Sequence, residues 1–383
     1  MEIISFTWRF LYAFLQRNMI IQRLRLVQFR NYTQTEFVPL EGVTVFFGEN
    51  AQGKTNLIEA VHLCCLGRSH RTPRDAELVK FGEAVAQVTT TVQRRDGPRD
   101  VSVRIEPSGK HSKQIKINNS PVQRIGELMG HVNMVLFSPE DLRLIKDGPE
   151  VRRRFMDMEI SQMRPAYFYA LQRYARALAQ RNELLRNLAV SISTSQLGSL
   201  DAWDALLAEL GGEIIARRKE YLAKLAVIAR DIHATISGGK EQLMLSYMAK
   251  ANDSQEIFRL LHASRTEDIR RKSTGIGPHR DDMHVLLNGC RARSYASQGQ
   301  QRTAVLAIKL AEIEVLREAT GESPILLLDD VMSELDVTRR EMLGERIASV
   351  QTLITCTHVS DLGGAAYGAM YRIHGGEIGN GPM

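Results

Sequence analysis

Cysteine is scarce in this 383-residue chain: Cys64, Cys65, Cys290 and Cys356, with no C-x-x-C pair. That count excludes a disulfide framework and the standard zinc spacings, and it fits reduced thiols in the cytoplasm. No run of about 18 apolar residues occurs, which excludes a transmembrane helix. Glycine (28) and proline (11) are too few for a collagen-like or proline-rich chain. The two tryptophans, Trp8 and Trp203, carry no functional signal. What remains is ordinary: 44% hydrophobic and 25% charged residues exclude wholesale disorder. The length suggests two or three structural units, each with room for a core.

Residues 1–18 read as an extension outside the fold. Their apolar stretch 3–15 is interrupted by Arg9, has no basic flank before it and no small-residue cleavage site. A short amphipathic helix at a membrane surface is the alternative. From Met19 to Asp141 the pattern is mostly strand. Val43–Phe47 is a short apolar run suited to a buried strand, and residues 85–93 and 101–105 alternate about a turn at Arg94–Pro98. Residues 142–272 turn helical and Arg-rich, with Leu171, Tyr174, Ala175, Leu178, Asn182 and Leu185 on one expected face and Pro165 between two helices. Residues 273–383 alternate strands and helices again.

The clearest chemistry lies at Gly48-Glu49-Asn50-Ala51-Gln52-Gly53-Lys54-Thr55, a complete G-x-x-x-x-G-K-T between an apolar strand and a helical run. Its glycines let backbone N–H groups face a phosphate, and the helix N-terminus favours negative charge. Lys54 supplies a point charge to the β- and γ-phosphates, and Thr55 a hydroxyl to Mg²⁺. The second signal is Pro324–Asp330, an apolar strand ending in Asp329 and Asp330. Asp329 is expected to orient Mg²⁺ and Asp330 to polarise the attacking water. Lys54 and Asp329 are 329 − 54 = 275 residues apart, so a large insertion divides the ATPase. Ser297-Gln-Gly299-Gln300 opens a further helix, Ser333–Asp336 follows the carboxylates, and an expected strand 353–357 ends at His358.

The order of phosphate loop, SQGQ, LLLDD, SELD and TH resembles the ATP-binding-cassette heads of SMC type. FRNY at 29–32, FSPEDL at 137–142, GPEVRRRFMD at 148–157, GPHRDD at 277–282 and SQGQQRT at 297–303 resemble the RecF family of bacterial recombination and repair proteins. The resemblance runs from Met19 to about Tyr371. It implies an α/β fold: a P-loop ATPase head of ABC type with an antiparallel β subdomain and an inserted α-helical lobe. It further implies that Gly48 to Thr55 bind ATP and Mg²⁺, with Arg30 and Asn31 approaching from the side. Ser297, Gly299 and Gln300 would form the signature facing a second protomer's ATP, Asp329 the metal-orienting carboxylate and Asp330 the general base. Asp336 would lie in the dimer-interface loop, and His358 would be the switch histidine. Wider cassette ATPases carry Glu where Asp330 stands, and the shorter side chain points to slow hydrolysis; the resemblance implies that DNA stimulates it.

Residues 141–190 hold nine Arg and one Lys against six Asp and Glu, a local net of 10 − 6 = +4. Arg152, Arg153, Arg173 and Arg176 are the candidate phosphate contacts, with a solvated, ion-paired helix face as the alternative. Gly277–Asp282 with His284 fits no zinc spacing and reads as a structural turn. The resemblance implies an ATP-dependent homodimer on single-stranded and gapped DNA, working with RecR, RecO and RecA in recombinational repair, replication restart and SOS induction. The competing class is an SMC-like, nucleotide-switched scaffold acting mainly through protein partners.

Overall fold

The computed structural model describes residues 18–109, 112–191, 194–362 and 367–380, so the extension expected over 1–18 lies outside the described residues except for Asn18. The chain packs as two compact units. One holds the residues up to Asp141 together with Lys309 onwards; the other is Leu142–Ile308.

The first unit contains two sheets. The mainly parallel sheet has the order β15-β14-β3-β13-β12-β8. Its strands are β3 (Val43–Phe47), β8 (Met134–Phe137), β12 (Ile325–Asp329), β13 (Thr352–Cys356), β14 (Ala369–His374) and β15 (Glu377–Asn380). Every residue of β12 and β13 is buried, which is why these strands read as unbroken apolar runs rather than alternating ones. Their register is what assembles the site. Asp329 pairs with Thr355 and Thr355 with Phe46, so the carboxyl ends of β12, β13 and β3 finish in one row.

The second sheet is antiparallel, in the order β2-β1-β4-β5-β6-β7. It comprises β1 (Ile20–Phe29), β2 (Tyr32–Phe37), β4 (Ala86–Arg94), β5 (Gly97–Ile105), β6 (Lys113–Ile117) and β7 (Ser120–Pro121). Alternation along β4 appears directly in its burial, with Ala86, Val88, Thr90 and Val92 inward. Helix α1 (Lys54–Leu66) packs against strands of both sheets. A helix covered on both sides needs apolar residues all round, and its run Leu57–Leu66 is buried throughout.

The second unit is built on α2 (Pro149–Met163), α3 (Pro165–Leu188) and α4 (Thr194–Ile236). Pro165 stands at the first turn of α3, where its missing N–H costs nothing, so it separates the helices without breaking either. The buried stripe of α3 is Tyr167, Ala170, Tyr174, Ala177, Arg181, Leu185 and Leu188. This corrects the expected face: Ala175 is exposed, and the polar Arg181 lies inside. Strand β9 (Leu243–Met248), α5 (Ser254–Ala263), α6 (Arg265–Arg271), β10 (Asp282–Leu287) and β11 (Cys290–Arg291) complete the unit. Residues 273–308 therefore do not join the ATPase unit at 272/273 as expected. They pack with the helices because β10 pairs in register with β9. The chain leaves this unit within α7 (Gln298–Thr320), and α8 (Val337–Ile347) follows β12. Among the described residues no helix is long and apolar enough to cross a membrane.

Candidate functional site

The phosphate loop leaves β3 at Gly48 and enters α1 at Lys54. Both of its glycines are sterically required. A Cβ on Gly48 would lie 2.5 Å from the Ile373 carbonyl oxygen, and one on Gly53, at φ +116°, 2.7 Å from the Asn31 amide. Lys54 is buried, and its Nζ donates to the carbonyls of Gly48 (2.5 Å) and Glu49 (2.8 Å), spanning the loop from inside. Burial pulls its ammonium below the usual range against the opposing pull of Asp330, Cys356 and Asp329. Gln52 acts as a strut. Its carbonyl accepts from Asn31 Nδ2 (2.8 Å) and Gly376 N (3.1 Å), and its Oε1 from Gly375 N (2.8 Å). Glu49, Asn50 and Ala51 are exposed at the loop tip.

Thr55 and Asp329, 274 residues apart in the chain, meet in the structure. Thr55 Oγ1 donates to Asp329 Oδ1 at 2.9 Å, and Thr355 Oγ1 donates to the same oxygen at 2.7 Å. Asp330, one residue on, turns out of the strand at φ +55°. Its N–H is held by the Thr355 carbonyl (3.2 Å) and hydroxyl (3.0 Å). A left-handed non-glycine residue costs of order 1 kcal/mol and persists where its surroundings over-determine it. His358 is exposed just beyond β13, and Thr357 Oγ1 reaches Asn50 Oδ1 at 3.3 Å, so this segment borders the loop. A cavity of about 830 Å³ is lined by Arg30, Asn31, Lys54, Thr55, Arg71 and Asp330 among others. That size lies within the range of small-ligand sites.

Arg30 and Asn31 form one side of this cavity, and Arg30 is also tied to the protein. Arg30 Nε and Nη2 donate to the two oxygens of Glu59 (2.8 Å each) and its Nη1 to the Glu77 carbonyl (2.7 Å), so much of its donor capacity is spent on protein. Glu59, fully buried on α1, also accepts from Ser69 Oγ (2.5 Å) and pairs with Arg71 (3.5 Å). Burial alone would raise the Glu59 carboxyl; Arg30, Ser69 and Arg71 overcome this and hold it below its usual range. Glu59, Arg71, Thr355 and Tyr32, whose hydroxyl donates to the Gly53 carbonyl at 3.1 Å, were all missed by the sequence reading. Glu59 alone left a signal: a carboxylate amid an apolar helical run.

Ser297, Gly299 and Gln300 lie in the other unit, at the start of α7. Ser297 Oγ accepts from Gln300 N (3.3 Å) while Gln300 Oε1 accepts from Ser297 N (2.7 Å), a reciprocal capping box. Asp336 caps α8 through Arg339 N at 3.0 Å. Of the four candidate DNA arginines, Arg173 and Arg176 are exposed. Arg152 is not available: it is buried, paired through Nε and Nη2 with Asp282 (2.7 and 3.0 Å) and bonded to the carbonyls of Leu144 and Asp147. Arg153, half-buried, donates to the Asp281 carbonyl at 2.7 Å. The turn at Pro278–Arg280 is internal scaffolding. Tyr174 Oη is 2.7 Å from His279 Nδ1, and His279 Nε2 is 3.1 Å from the Thr274 carbonyl. Among the described residues no cluster of three or more His, Cys, Asp or Glu is placed to hold a metal alone.

The family described as the RecF/RecN/SMC N terminal domain matches residues 20–373. The DNA replication and repair protein RecF of Ruminiclostridium cellulolyticum is 42% identical over 371 residues, covering 94% of this chain and 99% of that protein. That of Acetivibrio thermocellus is 43% identical, covering 88% and 93%. A solved structure of the recombination mediator protein RecF with ATP, from the RecFOR pathway, superposes with a TM-score of 0.89 at 36% identity, covering 96% of this chain and 99% of that one. An Smc head domain from Pyrococcus furiosus shares the fold, at a TM-score of 0.55 and 16% identity. The phosphate loop, the Thr55–Asp329 contact and these matches agree: the chain belongs to the RecF family of SMC-type ATPases.

Proposed function

We propose that this protein binds ATP with Mg²⁺ at the Lys54 loop and forms a head-to-tail dimer around the nucleotide. In that state it binds single-stranded and gapped DNA, and slow, DNA-stimulated hydrolysis times its release. The observation that carries this reading is the 2.9 Å contact of Thr55 Oγ1 with Asp329 Oδ1 beside the Lys54 loop. Two hard oxygens from two elements suit Mg²⁺, which takes few protein ligands and fills its octahedron with water and phosphate oxygens. When bound, the ion neutralises phosphate charge; Thr55 and Asp329 would hold it. Gly48 to Thr55 present N–H groups and the Lys54 charge to the phosphates. Asp330 lines the same cavity and is the general base that accepts a proton from the attacking water. Ser297, Gly299 and Gln300 would close over the γ-phosphate of ATP held by a second copy, with His358 as the sensor of that phosphate. Exposed Arg173 and Arg176 would contact DNA phosphates. Family membership supports a role in recombinational repair and replication restart with RecR, RecO and RecA, and in SOS induction.

Asp330→Asn separates binding from chemistry. We expect ATP and Mg²⁺ affinity within about threefold of wild type and hydrolysis lowered about 10²- to 10⁴-fold, the usual range for a lost general base. Lys54→Ala should weaken ATP binding itself. Normal turnover in Asp330→Asn, followed by phosphate release, refutes the base assignment.

A further inference from the structure

The cavity does not end at the phosphate loop. Its wall continues to Val79, Lys80, Phe81 and Pro107. We propose that Phe81, with Pro107 on the neighbouring lip, is the nucleobase platform of this site; the proposal rests on reading the cavity as a nucleoside triphosphate site.

The placement follows from backbone pairing. Residues 78–80 are clamped to the end of β1: Arg30 N donates to the Leu78 carbonyl (2.8 Å), Lys80 N donates to the Gln28 carbonyl (2.8 Å), and Phe29 bridges Val79. Lys80 Nζ is also bonded to Thr33 Oγ1. Phe81 follows this clamp directly, and Gly82, at φ +86°, turns the chain away towards β4. In the β4–β5 pair Ala86 faces Ile105, so the loop carrying Phe81 and the turn carrying Pro107 leave the same end of the sheet. At that end Arg30 and Asn31 lead back to the phosphate loop, through Asn31 Nδ2 and the Gln52 carbonyl. A triphosphate anchored at the α1 N-terminus therefore has its nucleoside directed along this wall.

The state of the ring is the second observation. Phe81 is 100% exposed, the most exposed large hydrophobic residue described, although its backbone is tied on the residue before it. A fully exposed ring contributes nothing to the core. A flat aromatic face held at the rim of a cavity suits a planar base, and stacking on one accepts any base because every base has a π-face. The wall should thus favour nucleotides over inorganic triphosphate while discriminating weakly between adenine and guanine.

The experiment compares ATP, GTP and inorganic triphosphate, each with Mg²⁺, on the full chain by titration calorimetry. Phe81→Ala should weaken ATP and GTP roughly 10-fold, within the range of about 5- to 150-fold expected for one lost base stack, and leave triphosphate unchanged. Phe81→Trp should retain ATP affinity, and its added fluorescence, above that of Trp8 and Trp203, should change with ATP but not with triphosphate. Unchanged ATP affinity in Phe81→Ala overturns the platform, as does an equal loss for ATP and triphosphate. Lys54→Ala should weaken all three ligands. If it weakens none, the triphosphate-site reading fails and the platform with it, whereas failure of Phe81→Ala alone leaves that reading standing.

Discussion

Glu59 shows how one buried charge organises the side of the nucleotide cavity. It holds Arg30 through both oxygens and Arg71 at 3.5 Å, with the Ser69 hydroxyl completing the donors around it. Arg30 is itself left-handed, at φ +55°, so the ion pair also pins a strained turn between β1 and β2. Glu59→Gln keeps shape and volume but leaves two cations short of a counter-charge. We expect a loss of about 3 kcal/mol, typical of removing one partner of a buried pair, as a lowered denaturation midpoint. A midpoint unchanged from wild type would show that Arg30 and Arg71 need no buried partner. The phosphate loop, Asp329 and Asp330 were legible because each is a local pattern in a local context. Thr355 and Tyr32 were not, because their partners lie on other elements; Glu59 stands out as a carboxylate in an apolar helical run, but nothing near it in the chain names Arg30 and Arg71 as its partners.

At the scale of elements, the helical unit is fastened by internal ion pairs where the sequence offered only an arginine-rich run. Arg181, 0% exposed on α3, binds Asp204 of α4 (2.7 Å) and Asp268 of α6 (2.8 Å). Arg218 of α4 binds Asp157 of α2 through Nε and Nη2, both at 2.9 Å. Helical periodicity marks where a residue lies on its helix; it does not say whether the next helix brings a carboxylate. The turn between α6 and β10 adds a pH dependence. Burial, aided by the nearby Arg280, Arg153 and Arg181 charges, pulls His279 down to about 4, against the opposing hydrogen bond to Thr274. Between pH 6.5 and 4 the unfolded chain takes a proton that the folded chain refuses, so stability falls as pH drops through that window. Wild type should lose denaturation midpoint between pH 7 and pH 5. His279→Gln should start lower at pH 7 yet lose less over the same interval. Equal losses in both proteins would remove His279 as the cause.

At the scale of the whole molecule, the net charge of +6 favours an anionic partner without locating it. If the proposed dimer presents Arg173 and Arg176 from both copies, replacing both with Ala removes four phosphate contacts. The slope of log affinity against log salt on duplex DNA should then fall by about 3.6; a monomer would lose about 1.8. Ser297→Arg, at an exposed cap, should lose ATP-dependent dimerisation by light scattering and reduce the slope change to the monomer value. Retention of the dimer by Ser297→Arg would place the interface elsewhere. By itself the sequence determined what depends on neighbours along the chain. That includes the loop between β3 and α1, the apolar strand ending in Asp329, the alternation of β4 and β5, and the helix break at Pro165. Tertiary structure alone decided what depends on distant partners. It assigned residues 273–308 to the helical unit through β10 pairing with β9, and it turned Arg152 and Arg181 inward to Asp282, Asp204 and Asp268. The physical reason is that burying a charge is tolerated only where an opposite charge meets it, and that meeting is arranged by packing across up to 130 residues of intervening chain.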